Sequence, residues 1–224
     1  MAGVRDALRT AAHRLEAMAV RRLEQRYLGV YTGDDIPSQE LGYGPGMYRA
    51  SSWLVLAEIF RRLEVGEDDV FVDIGSGMGR AVLMAARRPF SRVIGVEQSP
   101  RLNQVAQGIV DRNRHRLACQ HIELPTVDAL EWEIPDDLTV VYLYCPFPTQ
   151  TFRMLVERLI ASIERVPRPL RVVYHFSTVE DRDVLRATGQ AEMFSFGVPR
   201  YLRSEFEEVS MFRLLPRGGW RTPA

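Results

Sequence analysis

The sequence predicts an α/β fold: a seven-stranded, mostly parallel sheet with an antiparallel last strand, helices on both faces and an N-terminal helical extension. One indication is an apolar run at 70–74 that breaks into three alternating glycines before a helix-forming segment. A second is the alternation of β-branched runs with helical periodicity further along the chain. A third is a pair of final strand candidates with no helix between them. With 224 residues and 46% hydrophobic content, the chain can bury one substantial core.

The first element is a predicted helix over residues 4–27. Its apolar residues recur at helical intervals, and arginines occupy much of the remainder; the apolar set is Leu8, Leu15, Ala19, Leu23 and Tyr27. We interpret it as a solvated amphipathic helix packed on the body or on a neighbouring subunit, which makes a homodimer through this helix an expectation. A docking arm for an acidic partner or a membrane surface is the alternative. A Gly/Tyr/Pro-rich loop over 31–48 and a helix over about 51–63 follow.

The run Val70–Arg80 is the most informative stretch of the chain. Glycines at alternating positions supply positive φ and let a ligand approach bare backbone. The carboxylate of Asp73 repels phosphate but suits a ligand that carries an ammonium group or hydroxyls. A dinucleotide site would use G-x-G-x-x-G, and a phosphate-binding loop needs a lysine, which this chain lacks altogether. A nicotinamide-dependent oxidoreductase therefore remains only as an alternative.

An acid followed by G-x-G-x-G resembles the first motif of the class I S-adenosylmethionine (SAM) methyltransferases, which have a Rossmann-like fold. The resemblance implies a SAM-dependent methyltransferase that binds SAM and releases S-adenosylhomocysteine. The resemblance places these residues of the motif at the cofactor: Asp73, Gly75, Ser76, Gly77, Gly79 and Arg80.

Two further acids follow later strand candidates. Glu97 ends the β-branched run 92–97, where a carboxylate can accept both hydroxyls of a ribose. Asp128 follows the candidate third strand, where the family's acid accepts from the adenine amino group. The resemblance also implies that Gln98 lies along the adenine and that Ala129 lines the same pocket.

The fourth strand candidate delivers Tyr144-Cys145-Pro146-Phe147 to the carboxyl edge of the sheet. This segment resembles the [Asn/Asp/Ser]-Pro-Pro-[Tyr/Phe] signature of amine methyltransferases, and in particular the Tyr-Asn-Pro-Phe variant of bacterial Dot1-like proteins. The resemblance implies an amine acceptor, with Tyr144 also touching the cofactor. A thiol at Cys145 is a poor hydrogen-bond acceptor. An O-methyltransferase acting on a hydroxyl or carboxylate, or a catalytically silent SAM-binding protein, therefore stays open.

Aromatic residues ahead of the first strand of the sheet fold over the cofactor in the resembling family, which makes Tyr43 and Tyr48 candidates for a lid. After the fourth strand, the pattern predicts a helix over 149–166, a fifth strand over 170–176 and a helix over 179–187. His175 at the end of the fifth strand is a candidate base or a wall of the pocket. The last two strands are predicted at 191–196 and 209–215.

The predicted organisation is an N-terminal helix and cofactor-covering loop (1–50), a SAM-binding domain (51–216) and a tail (217–224). The expected acceptor is a small molecule, a peptide or a protein. Nucleic acid ranks lower because the formal net charge is zero and no basic, aromatic-interleaved stripe appears outside the first helix. Two cysteines and four histidines without ligand spacing predict neither a disulfide framework nor a metal site. No membrane span is predicted, and a cytoplasmic protein is the default expectation.

Overall fold

The computed structural model describes residues 18–41, 47–144, 147–196 and 209–218. Its central element is one sheet of seven strands, flanked by helices, and the predicted fold class is confirmed. The strands and helices are labelled in chain order. The strands of the main sheet are β3 (Val70–Ile74), β4 (Arg92–Val96), β5 (Ile122–Glu123), β6 (Val140–Tyr144), β7 (Leu170–His175), β8 (Ala191–Phe196) and β9 (Val209–Leu214).

Helices precede or connect the strands of this sheet. They are α2 (Trp53–Arg62), α3 (Arg80–Ala86), α4 (Pro100–Asn113), α5 (Thr149–Arg165) and α6 (Val179–Ala187). The strand order is β5-β4-β3-β6-β7-β9-β8. All neighbours pair in parallel except β9, which runs antiparallel to both β7 and β8. The last two strands, β8 and β9, thus pair with each other in antiparallel orientation, as predicted.

The N-terminal part is more structured than the predicted helix and loop. Helix α1 covers residues 18–27 of the predicted helix, and the earlier residues lie outside the described part. Within the predicted loop, β1 (Ile36–Pro37) pairs with β2 (Met47–Tyr48) in a small antiparallel sheet. A 3-10 turn, Ser38–Leu41, follows β1 directly.

Two apolar cores lie on opposite faces of the main sheet. Phe71 and Tyr142 belong to the core that also contains α2, α3 and α4 residues, whereas Val72 and Leu143 belong to the core beneath α5 and α6. The alternation follows from the period-two geometry of strands. Residues of both faces are fully buried, as expected for a parallel sheet covered by helices on both sides.

The third strand is shorter than the sequence suggested. Only Ile122–Glu123 forms β5, and a single bridge joins Glu97 to Thr126 beyond it. Pro125 has no N–H to give to the ladder, so pairing cannot continue through it. The segment that carries Asp128 is therefore a loop beyond the bridge. Among the described residues, no helix is long and apolar enough to cross a membrane.

Candidate active site

The glycine turn lies between β3 and α3 at the carboxyl edge of the sheet. Its three glycines adopt positive φ: 78° at Gly75, 54° at Gly77 and 82° at Gly79. The turn remains attached to the neighbouring strand, because the backbone N–H groups of Gly75 and Ser76 donate to the carbonyl of Val96 at 2.9 and 3.0 Å. Residues that carry a side chain rarely adopt these backbone dihedral angles, so the turn depends on glycine.

Glu97 organises this turn from the end of β4. One carboxylate oxygen accepts from the Gly77 N–H and the other from the Ser99 N–H, both at 2.8 Å. The side chain is 4% exposed. The carboxylate therefore links the glycine turn to the start of α4, and it is held at the edge where β3 and β4 end.

Asp73 lies next to this carboxylate and is also buried. Pairing across the sheet places it beside Gly95 on β4 and Tyr142 on β6. Burial, and in second place the charge of Glu97, raises the pKa of Asp73 to about 8. A buried carboxyl group in this state is stabilised as a carboxylate when a cation binds beside it. The turn is thus prepared for a positively charged ligand.

Tyr48 covers the glycine turn from the N-terminal side. A Cβ added to Gly77 would collide with the Tyr48 ring, so the bare backbone permits this close contact. The Tyr48 hydroxyl accepts from the Met78 N–H at 3.3 Å. Burial raises the pKa of Tyr48 to about 12, so the phenol stays protonated at neutral pH.

Arg80, at the start of α3, points toward the N-terminal segment. Its guanidinium pairs with Glu24 of α1 at 2.7 Å and donates to Thr32 at 2.6 Å and to the Ser51 carbonyl at 2.9 Å. Glu24 also accepts from the Thr32 N–H and from the Trp53 indole. Both charged side chains are buried. This cluster fastens α1 to the helix that follows the glycine turn.

Replacing Glu24 by glutamine is expected to destabilise the protein by about 3–5 kcal/mol, because the buried guanidinium of Arg80 loses its counter-charge. Urea unfolding measures the change. Glu58→Gln is the matched control, since Glu58 pairs with Arg61 and Arg62, whose side chains are exposed on α2, and a loss of at most about 1 kcal/mol is expected. Equal behaviour of the two variants would show that the buried pair does not hold α1 in place.

A second polar network lies on the same face of the sheet. The Tyr142 hydroxyl is 2.8 Å from the Ser51 hydroxyl and 3.0 Å from Nδ1 of His175. Tyr144 pairs with His175 across β6 and β7, and their rings stack with centroids 4.5 Å apart. Burial lowers the pKa of His175 to about 4, so the imidazole is neutral at physiological pH. Among the described residues, its Nε2 has no hydrogen-bond partner.

The remaining predicted site residues have varied positions. Gln98 and Asp128 are exposed, and Asp128 accepts from the Leu130 N–H at 2.7 Å. Ala129 is buried in the second core, against which Phe147 packs. Tyr43, Cys145 and Pro146 lie outside the described residues.

Sequence reasoning missed Ser51 and Tyr142, which the structure joins to His175. Alternation along β6 contains a signal for Tyr142, because Tyr142 and Tyr144 are two residues apart and share a face. Ser51 had no such signal, since it lies 91 residues away from Tyr142 in the sequence.

A family model described as "Histone methylation protein DOT1" matches residues 43–130, the span from the N-terminal loop through the three predicted cofactor acids. A histone-lysine N-methyltransferase specific for H3 lysine-79 from Drosophila melanogaster is 33% identical over 58 residues. That alignment covers 25% of this chain and 3% of the relative, so the chain corresponds to a small part of that protein. The matched span contains the acid, the glycine turn and Glu97. Over this span the chain is similar to the class I SAM-dependent methyltransferase superfamily.

Several solved structures share the fold of this chain. A putative tRNA (m1A22) methyltransferase of Streptococcus pneumoniae superposes with a TM-score of 0.56 at 13% identity, covering 78% of this chain and 73% of that one. The magnesium protoporphyrin IX methyltransferase of Synechocystis PCC 6803, solved with bound SAM, gives 0.52 at 14% identity, with 78% and 87% covered. Precorrin 8w decarboxylase of Methanobacterium thermoautotrophicum gives 0.54 at 20% identity, with 80% and 98% covered.

The superfamily's cofactor fits the chemistry of the turn. SAM carries an ammonium group and a sulfonium, and the buried carboxyl of Asp73 favours a cationic neighbour. Its ribose hydroxyls are donors that the carboxylate of Glu97 can accept. The bare backbone at Gly77 and the aromatic ring of Tyr48 provide a close-fitting surface for such a ligand. Among the described residues, no cluster of side chains could hold a metal ion.

Proposed function

We propose that this protein transfers a methyl group from SAM to an amine on a peptide, a protein or a small molecule. The observation that carries the proposal is the meeting, at one sheet edge, of a bare-backbone turn with two buried carboxyl groups, Asp73 and Glu97. The residues proposed to bind the cofactor are those predicted from sequence: Tyr43, Tyr48, Asp73, Gly75, Ser76, Gly77, Gly79, Arg80, Glu97, Gln98, Asp128, Ala129 and Tyr144.

Within this set, Arg80 is proposed to act as a positioning residue. Its side chain is engaged by Glu24, Thr32 and Ser51, so its contribution to the site is to fix the start of α3 and the N-terminal segment. Residues 1–50 are proposed to form the covering segment of the site, and 51–216 the domain that binds the cofactor. The contact of Tyr48 with Gly77 supports the first of these assignments.

SAM supplies an activated methyl group when bound, so the protein's task is to position the acceptor and exclude water. Orientation of two reactants can lower a barrier by about 7–11 kcal/mol. Tyr144, Cys145, Pro146 and Phe147 are proposed to form the acceptor wall, with His175 behind Tyr144. The ring stack of Tyr144 on His175 supports this arrangement, because it fixes the orientation of the tyrosine.

The proton of the acceptor requires a destination, since an amine attacks only as its neutral form. We assign the Nδ1–H of His175 as the donor to the Tyr142 hydroxyl, which leaves the Nε2 lone pair available as an acceptor. The low pKa of His175, about 4, keeps that lone pair free at neutral pH but makes the ring a weak base. Because His175 is buried, its role is to hold Tyr142 and Tyr144 in position, and bulk water takes the proton.

An amine acceptor is supported by two likenesses, the DOT1 family model over 43–130 and the lysine methyltransferase relative over 58 residues. O-methylation is the second candidate. It is favoured by Cys145, whose thiol cannot replace the carbonyl of the asparagine in accepting from an amine.

Incubation of extract fractions with deuteromethyl-labelled SAM, followed by mass spectrometry, tests the proposal. We expect a labelled product that depends on the protein and that survives mild alkali, as N-methyl groups do and carboxyl methyl esters do not. A labelled but alkali-labile product would favour methylation of a carboxylate. If S-adenosylhomocysteine binds but no extract component gains the label, the protein is a silent SAM-binding protein and the proposal fails.

A further inference from the structure

Arginines from three separate sequence segments converge beside α1. The guanidinium of Arg26 lies 5.9 Å from the centroid of the Tyr27 ring, and that of Arg116 lies 5.9 Å from the same centroid. The Arg112 guanidinium packs on the backbone of Gly29, just beyond the helix. We call Arg26, Tyr27, Arg87, Arg112 and Arg116 the basic surface.

Arg87 joins this group from the end of α3. Burial lowers the pKa of Arg87, and the nearby positive charge of Arg116 lowers it further, which places the two guanidinium groups close together. All five residues of the basic surface are exposed. Among the described residues, no ion pair joins its arginines to an acid; the adjacent Asp111 pairs instead with Arg114, at 3.6 Å. The positive charges are thus concentrated on a chain whose net charge is zero.

The part of the basic surface at the end of α4, with Arg112 and Arg116, is remote from the glycine turn. Helix α4 begins just after Glu97 and carries Arg112 near its other end. Fourteen helical residues span about 21 Å at 1.5 Å per residue. A ligand on the basic surface therefore does not compete for the edge where Asp73 and Glu97 lie.

The residue types of the basic surface favour one class of negatively charged partner over the others. Guanidinium groups donate to phosphate oxygens through paired N–H groups. Tyr27 is 47% exposed, and the Arg26 and Arg116 guanidinium groups lie 5.9 Å from its ring centroid, so an exposed aromatic ring stands among cations, as in sites that bind unpaired bases. An acidic protein surface would use the arginines but not the ring face.

We propose that the basic surface is a docking site for single-stranded nucleic acid, which holds an extended ligand while the sheet edge remains free for methyl transfer. The phosphodiester backbone contacts the arginines, and a base stacks on Tyr27. This inference is independent of which acceptor is methylated at the sheet edge, and its test uses binding alone.

Fluorescence anisotropy with a fluorescein-labelled, mixed-sequence 20-nucleotide RNA, and with DNA of the same sequence, tests the proposal on the full chain. Neutralising four phosphates gives a log–log salt slope of about −3, which weakens binding roughly 50-fold between 50 and 200 mM salt. If both the RNA and the DNA bind, contacts to phosphate and base are enough for binding. If only the RNA binds, a contact to the 2′-hydroxyl contributes as well. Absence of salt-dependent binding to either strand overturns the proposal.

Variants separate the two kinds of contact. Arg26→Glu with Arg116→Glu should weaken binding at least tenfold and flatten the salt slope, whereas Tyr27→Ala should weaken it by roughly 5- to 100-fold with the slope unchanged. Arg153→Glu with Arg217→Glu, on the α5 side of the sheet, makes the same change in net charge and should leave affinity within about threefold. An equal loss in this control would mean that only net charge matters, and the proposal would fall.

Two controls accompany these variants. An unchanged melting temperature and an unchanged far-UV circular dichroism spectrum show that each variant is folded; Arg26→Gln with Arg116→Gln replaces the charge reversal if it is not. Polyglutamate added as a competitor at equal charge concentration should displace RNA poorly. Displacement as effective as that by unlabelled RNA would show an acidic-protein site and overturn the assignment.

Discussion

Replacing Gly77 by arginine is expected to abolish binding of S-adenosylhomocysteine, with at least a 100-fold loss of affinity. Gly77 has a φ of 54°, in the left-handed region that costs other residues about 1–2 kcal/mol. Any side chain there also meets the ring of Tyr48, which lies directly against the glycine. The N–H of Gly77 is held by Glu97, so a shift of this residue disturbs both carboxylate contacts at the turn.

Isothermal titration calorimetry with S-adenosylhomocysteine measures the loss. Gly108→Arg is the matched control: Gly108 is exposed on α4, and a Cβ there would meet nothing within 4 Å. The same side chain should therefore leave affinity unchanged at this position. Retention of affinity within tenfold by the Gly77 variant would remove the glycine turn from the binding site.

The strands and helices that could be predicted from sequence are those whose pattern is local. Helix α6 begins and ends at the predicted residues, and α5 ends one residue before the predicted boundary, ahead of Pro167 and Pro169. In both, apolar periodicity and a capping or breaking residue lie within the segment itself. The short β5 was not predictable in the same way, because Pro125 interrupts a ladder whose partner, β4, lies elsewhere in the chain.

The acids of the candidate site could be anticipated because parallel strands end at the same edge of a sheet. Asp73 and Glu97 are adjacent in the structure, as the βαβ pattern implies. The buried pair of Glu24 with Arg80 was not foreseeable, since it joins residues 56 positions apart through side chains that a sequence pattern treats as surface charges. Arg80 was predicted beside the cofactor for its place in the motif, but its partners are in the N-terminal segment.

The basic surface likewise could not be predicted from the sequence. Arg26, Arg87 and Arg116 come from three distant segments, and each segment alone resembles an ordinary solvated face. Tertiary packing brings Arg26 and Arg116 to one ring, Tyr27, with Arg87 close to Arg116. Judging nucleic-acid binding from net charge and a continuous stripe therefore overlooks a surface assembled from distant arginines.

Replacing Asp73 by asparagine is expected to weaken binding of SAM at least 100-fold. Asp73 is buried, and its pKa of about 8 means that the free protein holds it protonated at pH 7. A cation placed beside it favours the carboxylate, so SAM binding at pH 7 should release close to one proton. Calorimetry in phosphate and in Tris, whose ionisation enthalpies differ, counts that proton. The asparagine side chain of the variant can release none and offers no charge to the ligand.

The same substitution should stabilise the free protein in alkali. The folded pKa of Asp73 lies above the unfolded value, so the folded state holds the extra proton and loses stability as pH rises from about 4 to 8. Between pH 6 and pH 8.5 the parent should lose roughly 2–3 kcal/mol relative to Asp73→Asn. Urea unfolding at both pH values measures this difference, and Asp68→Asn, exposed just ahead of β3, should follow the parent. A parent and a variant with equal pH dependence would mean that Asp73 is ionised in the free protein, and the turn would then hold its own negative charge before any cation arrives.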